Sequence, residues 1–375
     1  MGIMTNSVTF DKATIANSYH AVKNFFATSA TGLLGVDINN HSVKVIELDR
    51  DRRAGVYQVT RFGYASVSQA GMSDNPVENV QNIAAAVSEA VSLSGSKLKH
   101  AAAAVFGNSV INKVVDVPSG LNDDELEMFL SINSDKYIPF PLNEVAMDFQ
   151  KLNLPSAMKS REKILLTACR RDAIDKQVEA INLANLSVEV VDVAPFAAER
   201  ALRDSAQNFN VENESLRLIV DVGDNYIVCN LIDSEGALFV WEEAIKCSSI
   251  QQDVSGLDEP SETDPIFESS LIQCRDKIKN SSREMFMQAL TVALKRAIQM
   301  ASSSTNCEIK NLVLIGDVIP TVNEVTTIGD HLDVKVNLGN PFQNMAFGPS
   351  LNASHLALRA SSFTTACGLA LRGLI

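Results

Sequence analysis

Leu33-Leu34-Gly35-Val36-Asp37-Ile38 runs through Asn39-Asn40-His41-Ser42 into Val43-Lys44-Val45-Ile46-Glu47-Leu48. About half a chain later, Leu218-Ile219-Val220-Asp221-Val222-Gly223 runs through Asp224-Asn225 into Tyr226-Ile227-Val228-Cys229-Asn230-Leu231. Each copy reads as an apolar strand with an aspartate near its end, a tight polar turn and a second β-branched strand. A third strand follows in both, around Tyr57-Gln58-Val59 and Ala237-Leu238-Phe239-Val240-Trp241. Each copy then has a helical stretch and a later strand ending in glycine, Ala102-Ala103-Ala104-Val105-Phe106-Gly107 and Leu312-Val313-Leu314-Ile315-Gly316. A duplicated hairpin that presents Asp at the strand mouth predicts an α/β protein of two similar lobes facing one cleft.

A length of 375 residues exceeds one ordinary core and predicts several domains. Hydrophobic residues make up 46% and charged residues 21%, which excludes a disordered chain. A net charge of −13 argues against non-specific nucleic-acid binding, which needs a basic face, but leaves room for a basic pocket holding one nucleotide. The cysteines, at 169, 229, 247, 274, 307 and 367, show no zinc spacing and no dense framework, so they read as reduced thiols of a cytosolic protein. No apolar run approaches the ~18 residues that span a bilayer, and the start of the chain does not read as a signal peptide. Residues 11–27 instead read as a short amphipathic helix, with Ile15, Tyr19, Val22 and Phe26 on one stripe.

Between the hairpins the pattern changes. Asn122 with Glu125 makes a capping box ahead of Leu126, Phe129 and Leu130, and Pro139 and Pro141 then stop any helix. Strands follow at Val145–Leu152 and Ile164–Ala168, and Ile174, Val178 and Ile181 mark a second helix. The expected organisation is therefore an extension (1–29), a first-lobe core (30–113 and 188–214) and an inserted α+β subdomain (114–187). The second-lobe core is expected at 215–245 and 305–375, with a small second-lobe subdomain at 246–304. Residues 356–374 read as one final helix rich in small residues.

A strand-end Asp beside a turn of free backbone N–H groups can hold Mg²⁺ and phosphate together, the carboxylate meeting the ion while the N–H groups cradle phosphate oxygens. Lys44 adds a point charge. A purely structural duplication is the alternative reading of the same residues. Ser94-Gly95-Ser96-Lys97 imitates the tail of a P-loop, but the upstream glycine is missing and the segment reads as a helix-ending turn. No Gly-x-Ser-x-Gly elbow is present, and the histidines share no ligand spacing.

The order of these parts resembles the actin-like ATPase superfamily, a duplicated RNase H-like fold. Within it, Asp135-Lys136-Tyr137-Ile138-Pro139-Phe140-Pro141-Leu142-Asn143-Glu144-Val145-Ala146-Met147-Asp148-Phe149-Gln150 is similar to the bacterial type IV pilus assembly protein PilM family, relatives of the division protein FtsA. Val190-Val191-Asp192-Val193 with Pro195-Phe196-Ala197 resembles it too, as does the close from Leu356 to Gly373. The resemblance implies an ATP- and Mg²⁺-binding cytoplasmic protein, peripheral to the inner membrane, that holds the N-terminal cytoplasmic tail of PilN and meets other pilus assembly components. It places Asp37, Asn39, Asn40, His41, Ser42 and Lys44 on the first phosphate turn, and Asp221, Gly223, Asp224 and Asn225 on the second. Gly316 and Asp317 fall on the adenosine turn, and Lys295 and Arg296 fall either beside the base or ribose or on a solvated helix face. Asp37 and Asp221 would meet the metal.

Three departures from that family bear on function. Asn39 stands where glycine is usual, Asp317 follows Gly316 where a second glycine is usual, and Ala194 stands where an acidic residue is common. The last removes a group that would orient attacking water. A binding scaffold is therefore expected ahead of an active ATPase or phosphotransferase. An FtsA-like filament-forming tether is the third class, and Phe363–Ile375, with Arg372 as its one charge, lacks the basic anchor such a tether needs.

Overall fold

The computed structural model describes residues 32–39, 41–51, 55–67, 76–152, 160–203, 216–223, 226–232, 237–245, 280–305, 307–318, 320–349, 351 and 353–374. The amphipathic stripe expected at 11–27 lies outside them.

The first hairpin forms β1 (Leu34–Ile38) and β2 (Ser42–Asp51), and β3 (Val56–Ser66) adds antiparallel to β2. Helix α1 (Pro76–Ser94) crosses over to β4 (His100–Val105), which pairs parallel with β1. Gly95, at φ +65°, ends α1 in the turn expected there. Farther along the chain, β8 (Ser187–Val193) pairs parallel with β4. Ala101 to Val105 are all buried, the continuous apolar run of a strand covered on both faces. Val87 and Ala90 of α1 pack on one face with Val36, Val45 and Ala103.

The second hairpin repeats this plan. Strands β9 (Arg217–Val222), β10 (Tyr226–Ile232) and β11 (Ala237–Ala244) are antiparallel neighbours. Strands β12 (Asn311–Gly316) and β13 (Lys335–Leu338) then add in parallel beside β9. The two sheets run β3-β2-β1-β4-β8 and β11-β10-β9-β12-β13, one order used twice, with β14 (Ala346–Phe347) added outside β3. The duplication is thus one of whole lobes.

Between β4 and β8 lies a three-stranded antiparallel sheet, ordered β5 (Val110–Pro118), β7 (Arg161–Arg170), β6 (Val145–Leu152). Helix α2 (Asp123–Ile132) starts on the expected capping box, Asn122 accepting from the Glu125 backbone N–H and Glu125 from that of Asn122. Leu126 and Leu130 pack on Val115, Val117, Ile164 and Leu166. Ile138 is buried in the same cluster and Tyr137 and Phe140 lean on it, so the Tyr-Ile-Pro-Phe-Pro segment closes this small core.

Three segment placements differ from the sequence expectation. Helix α3 (Arg171–Leu183) was expected in the insertion, yet it places Ile181 with α1, β1 and β4 of the first lobe, so the inserted sheet spans 110–170. Within 246–304, helix α5 (Asn280–Thr305) belongs to the second-lobe core. Its Phe286, Leu290, Ala293, Leu294 and Ala297 form one apolar stripe against Val220, Leu231 and Leu314. The chain end was expected in the second lobe as one long helix. It returns instead to the first lobe as α7 (Ala353–Ala357), a tight turn at Ala360–Phe363 and α8 (Thr364–Leu371). The hydroxyls of Ser362 and Thr364 bond carbonyls three residues back and hold the tighter turn.

The close approach of α8 explains its small residues. Helix α4 (Ala194–Leu202) follows β8, and a Cβ at Gly368 would collide with the Ala197 carbonyl of that helix. A Cβ at Gly35 would collide with Ala366 and Ala370, so β1, α4 and α8 meet backbone to backbone. Every residue of α8 is buried. No helix among the described residues is long and apolar enough to cross a membrane.

Candidate functional site

Both hairpin turns and the end of β12 open on one cleft of about 110 Å³. Asp37, Asn39, His41 and Lys44 line it from the first lobe, and Asp221, Gly223, Gly316 and Asp317 from the second. Ser42 enters through its hydroxyl. These expected site residues are thus brought together from positions nearly a chain length apart. Asn40, Asp224 and Asn225 lie outside the described residues. Lys295 is not in the cleft: Leu294 faces the sheet, and one step further round the helix Lys295 is exposed. Arg296 turns instead to Glu243, 2.6 Å away, and donates to the Ala244 carbonyl.

Backbone register sets the charged core of the site. Asp37 and Lys44 face each other across the β1–β2 ladder, with Lys44 Nζ 3.7 Å from Asp37 Oδ2. Lys44 is 1% exposed, and a buried ammonium needs an anion. It finds one in the opposite lobe: Nζ lies 2.8 Å from Asp317 Oδ1 and 2.9 Å from Oδ2. Gly316 aims that carboxylate. It sits at φ +107°, and a Cβ there would collide with Asp221 Oδ1 and meet the Val222 backbone at 2.6 and 2.8 Å.

The first turn is satisfied from within. Asn39 Oδ1 accepts from the backbone N–H groups of His41 (3.0 Å) and Ser42 (2.8 Å). Asn39 Nδ2 donates to Asp317 Oδ2 at 2.6 Å, and Ser42 Oγ donates to the same oxygen at 3.0 Å. The Asn39 side chain thus caps its own turn and reaches across the cleft.

Electrostatics follow from burial with three carboxylates around one lysine. Burial, with the charges of Asp37 and Asp317, pushes Asp221 up to about 7, against the pull of Lys44. Burial also raises Asp37, with Lys44 opposing. At Asp317 burial acts upward, but Lys44, Asn39 and Ser42 outweigh it and hold the carboxyl below its usual value. Burial works against the Lys44 charge too, and Asp317 and Asp37 more than offset it, so this lysine stays protonated.

Several walls of the cleft went unread in the sequence. Phe106, Pro195, Ala198 and Ile219 supply apolar surface, and Ser361, Ser362 and Thr365 arrive from the returning chain end. Asn230 also lines the cleft; its Nδ2 donates to the Pro195 carbonyl, while its buried Oδ1 has no hydrogen-bond partner among the described residues. Only knowledge of which face of β10 turns inward would have found it. Ala194 lies in the wall, as the sequence placed it, and brings no carboxyl.

A magnesium triphosphate does not fit this arrangement. Asn39 Nδ2, Ser42 Oγ and Lys44 Nζ, the side-chain donors it would need at the first turn, are spent on Asp317, and the His41 and Ser42 N–H groups are spent on Asn39. Among the described residues, no group of three or more His, Cys, Asp or Glu could hold a metal ion.

Two matched sheets, an insertion beside the first lobe and facing hairpins define an actin-like fold, a duplicated RNase H-like unit. The family profile of the type IV pilus assembly protein PilM matches residues 35–374, and the chain belongs to that family. Among solved structures, a chain of a "PilM-PilN type IV pilus biogenesis complex" superposes with a TM-score of 0.72 at 21% identity, covering 92% of this chain and 99% of that one. The ethanolamine utilization protein EutJ from Carboxydothermus hydrogenoformans gives 0.47 at 12% identity, covering 91% of this chain and 90% of its own.

Proposed function

We propose that this chain is an adaptor of type IV pilus assembly that captures the short N-terminal cytoplasmic tail of PilN, and so stands on the cytoplasmic side, peripheral to the inner membrane. Family membership over residues 35–374 carries this reading. The likeness to a chain solved in a PilM–PilN complex supports it. The capture surface is assigned to the inserted subdomain. There Met128 and Ile132, one helical turn apart on α2, are 67% and 71% exposed, and Leu142 is exposed beside the same small core.

ATP with Mg²⁺ is the ligand class for which this fold's cleft is known, but the adaptor role needs no turnover. Ala194 offers no carboxyl to orient water, and the donors of the first turn are engaged. The tether reading loses its anchor, because α8 is wholly buried in the first lobe.

Fluorescence anisotropy with a labelled PilN tail peptide tests the adaptor reading. The wild-type chain should bind it, and Met128→Asp with Ile132→Asp should weaken binding at least about tenfold, as loss of a central apolar anchor does. Binding that survives both changes would place the peptide elsewhere, and no binding at all would end the adaptor reading.

A further inference from the structure

Asp317 receives the side-chain donors that the first hairpin brings to the cleft. Three side chains of the first lobe converge on it: Asn39 Nδ2 at 2.6 Å, Ser42 Oγ at 3.0 Å and Lys44 Nζ at 2.8 and 2.9 Å to its two oxygens. None of those donors belongs to the second lobe. A carboxylate and a phosphoryl oxygen are alternative acceptors for the same charge-assisted bonds. Gly316, at φ +107° and with no room for a Cβ, makes the turn after the strand end that brings Asp317 to face the first lobe.

We propose that Asp317 is a built-in anionic ligand: it fills the phosphate turn of the opposite lobe, latches the two lobes closed without nucleotide, and must be displaced before any nucleoside triphosphate can bind. A tethered group competes at an effective concentration on the order of millimolar or above. Free nucleotide at ordinary concentrations therefore loses to it unless other contacts help. The inference is independent of the peptide reading, and its test contains no peptide.

The experiment compares the full chain with Asp317→Ala and Asp317→Asn, the second keeping shape while removing the charge. Calorimetry with Mg-ATP reads occupancy, and small-angle scattering without nucleotide reads closure. Both variants should bind Mg-ATP at least about tenfold more tightly than wild type. Both should show a larger radius of gyration that returns to the wild-type value when Mg-ATP is added. Wild-type binding as tight as that of the variants would overturn the proposal, as would variants that neither open nor gain affinity. Opening with no gain in affinity would overturn it too, since the turn would then not be a phosphate site that Asp317 occupies.

Discussion

Lys44 and Asp317, 273 residues apart, are joined across the cleft by a contact of 2.8 Å between Nζ and Oδ1, one residue from each lobe. The lysine is fully buried and the aspartate largely so, which makes the pair unlike an exposed ion pair of little consequence. Asp37 lies 3.7 Å from the same ammonium and Asp221 feels its charge, so four ionisable groups share one desolvated volume.

That crowding predicts a severe cost for removing the lysine. Lys44→Met leaves Asp317 and Asp37 facing each other without a cation, and breaking a buried pair from one side costs about 3–5 kcal/mol. Urea unfolding should show the loss. Adding Asp317→Asn to Lys44→Met should restore part of it, and additivity in that double-mutant cycle would mean the two groups do not act on each other.

A second prediction concerns the seam beneath the cleft. A Cβ at Gly368 has no room against the Ala197 carbonyl, whereas one at Gly32 meets nothing within 4 Å. Gly368→Ala should destabilise by about 1–3 kcal/mol or more, as overpacking does. Gly32→Ala should stay within about 0.5 kcal/mol of wild type. Thermal unfolding of the two variants, side by side, separates close packing at α4–α8 from a generic glycine effect.

The hairpins were legible because everything that defines them is local: alternation, a turn and an aspartate within a dozen or so residues. The capping box at Asn122 was legible for the same reason. The return of the chain end to the first lobe was not, because contacts at Gly35 and Gly368 leave only small residues behind, and small residues name no partner. Asp317 was read only as a departure from a second glycine on the adenosine turn. Its hydrogen bonds come from Asn39, Ser42 and Lys44, whose separation from it follows no period. Lys295 was placed by the family resemblance beside the base or on a solvated helix face, and one helical step past buried Leu294 puts it on the solvated face. A second capping box, Thr321 with Glu324, stood in plain view and marks helix α6 (Val322–Leu332).

That second box carries a pH prediction. Arg283 forms a fork with Glu324 at 2.7 and 2.6 Å, tying α5 to α6. Its hydrogen bond, with those of Thr321, outweighs burial and lowers the Glu324 carboxyl from 4.5 to about 2. A depressed carboxyl contributes stability that is complete above its unfolded value and is lost as the pH falls through the folded one. Glu324→Gln should therefore cost about 1 kcal/mol at neutral pH, the worth of a cap and a partly exposed ion pair. The gap from wild type should close between pH 4.5 and about 2, as followed by urea unfolding across that range. A gap that stays constant with pH would assign the effect to shape alone.

Asn39 gives the last prediction, because one side chain both caps the first turn and reinforces the latch. Its Oδ1 holds the N–H groups of His41 and Ser42 inward, and its Nδ2 holds Asp317. Asn39→Gly releases both N–H groups toward the cleft and removes one donor from Asp317. Without nucleotide the variant should lose about 1–2 kcal/mol, the cost of a turn-capping side chain and one charge-assisted bond. With Mg-ATP it should recover, because the freed N–H groups are those a phosphate oxygen accepts from. Combined with Asp317→Ala, the gain in affinity should exceed that of either change alone, since the first opens the turn and the second vacates it. A thermal-shift titration of wild type, both single variants and the double variant reads all of this at once. If Mg-ATP leaves the melting temperature of the double variant where it stood, the turn cannot hold phosphate even when freed, and the hairpin pair serves only to join the lobes.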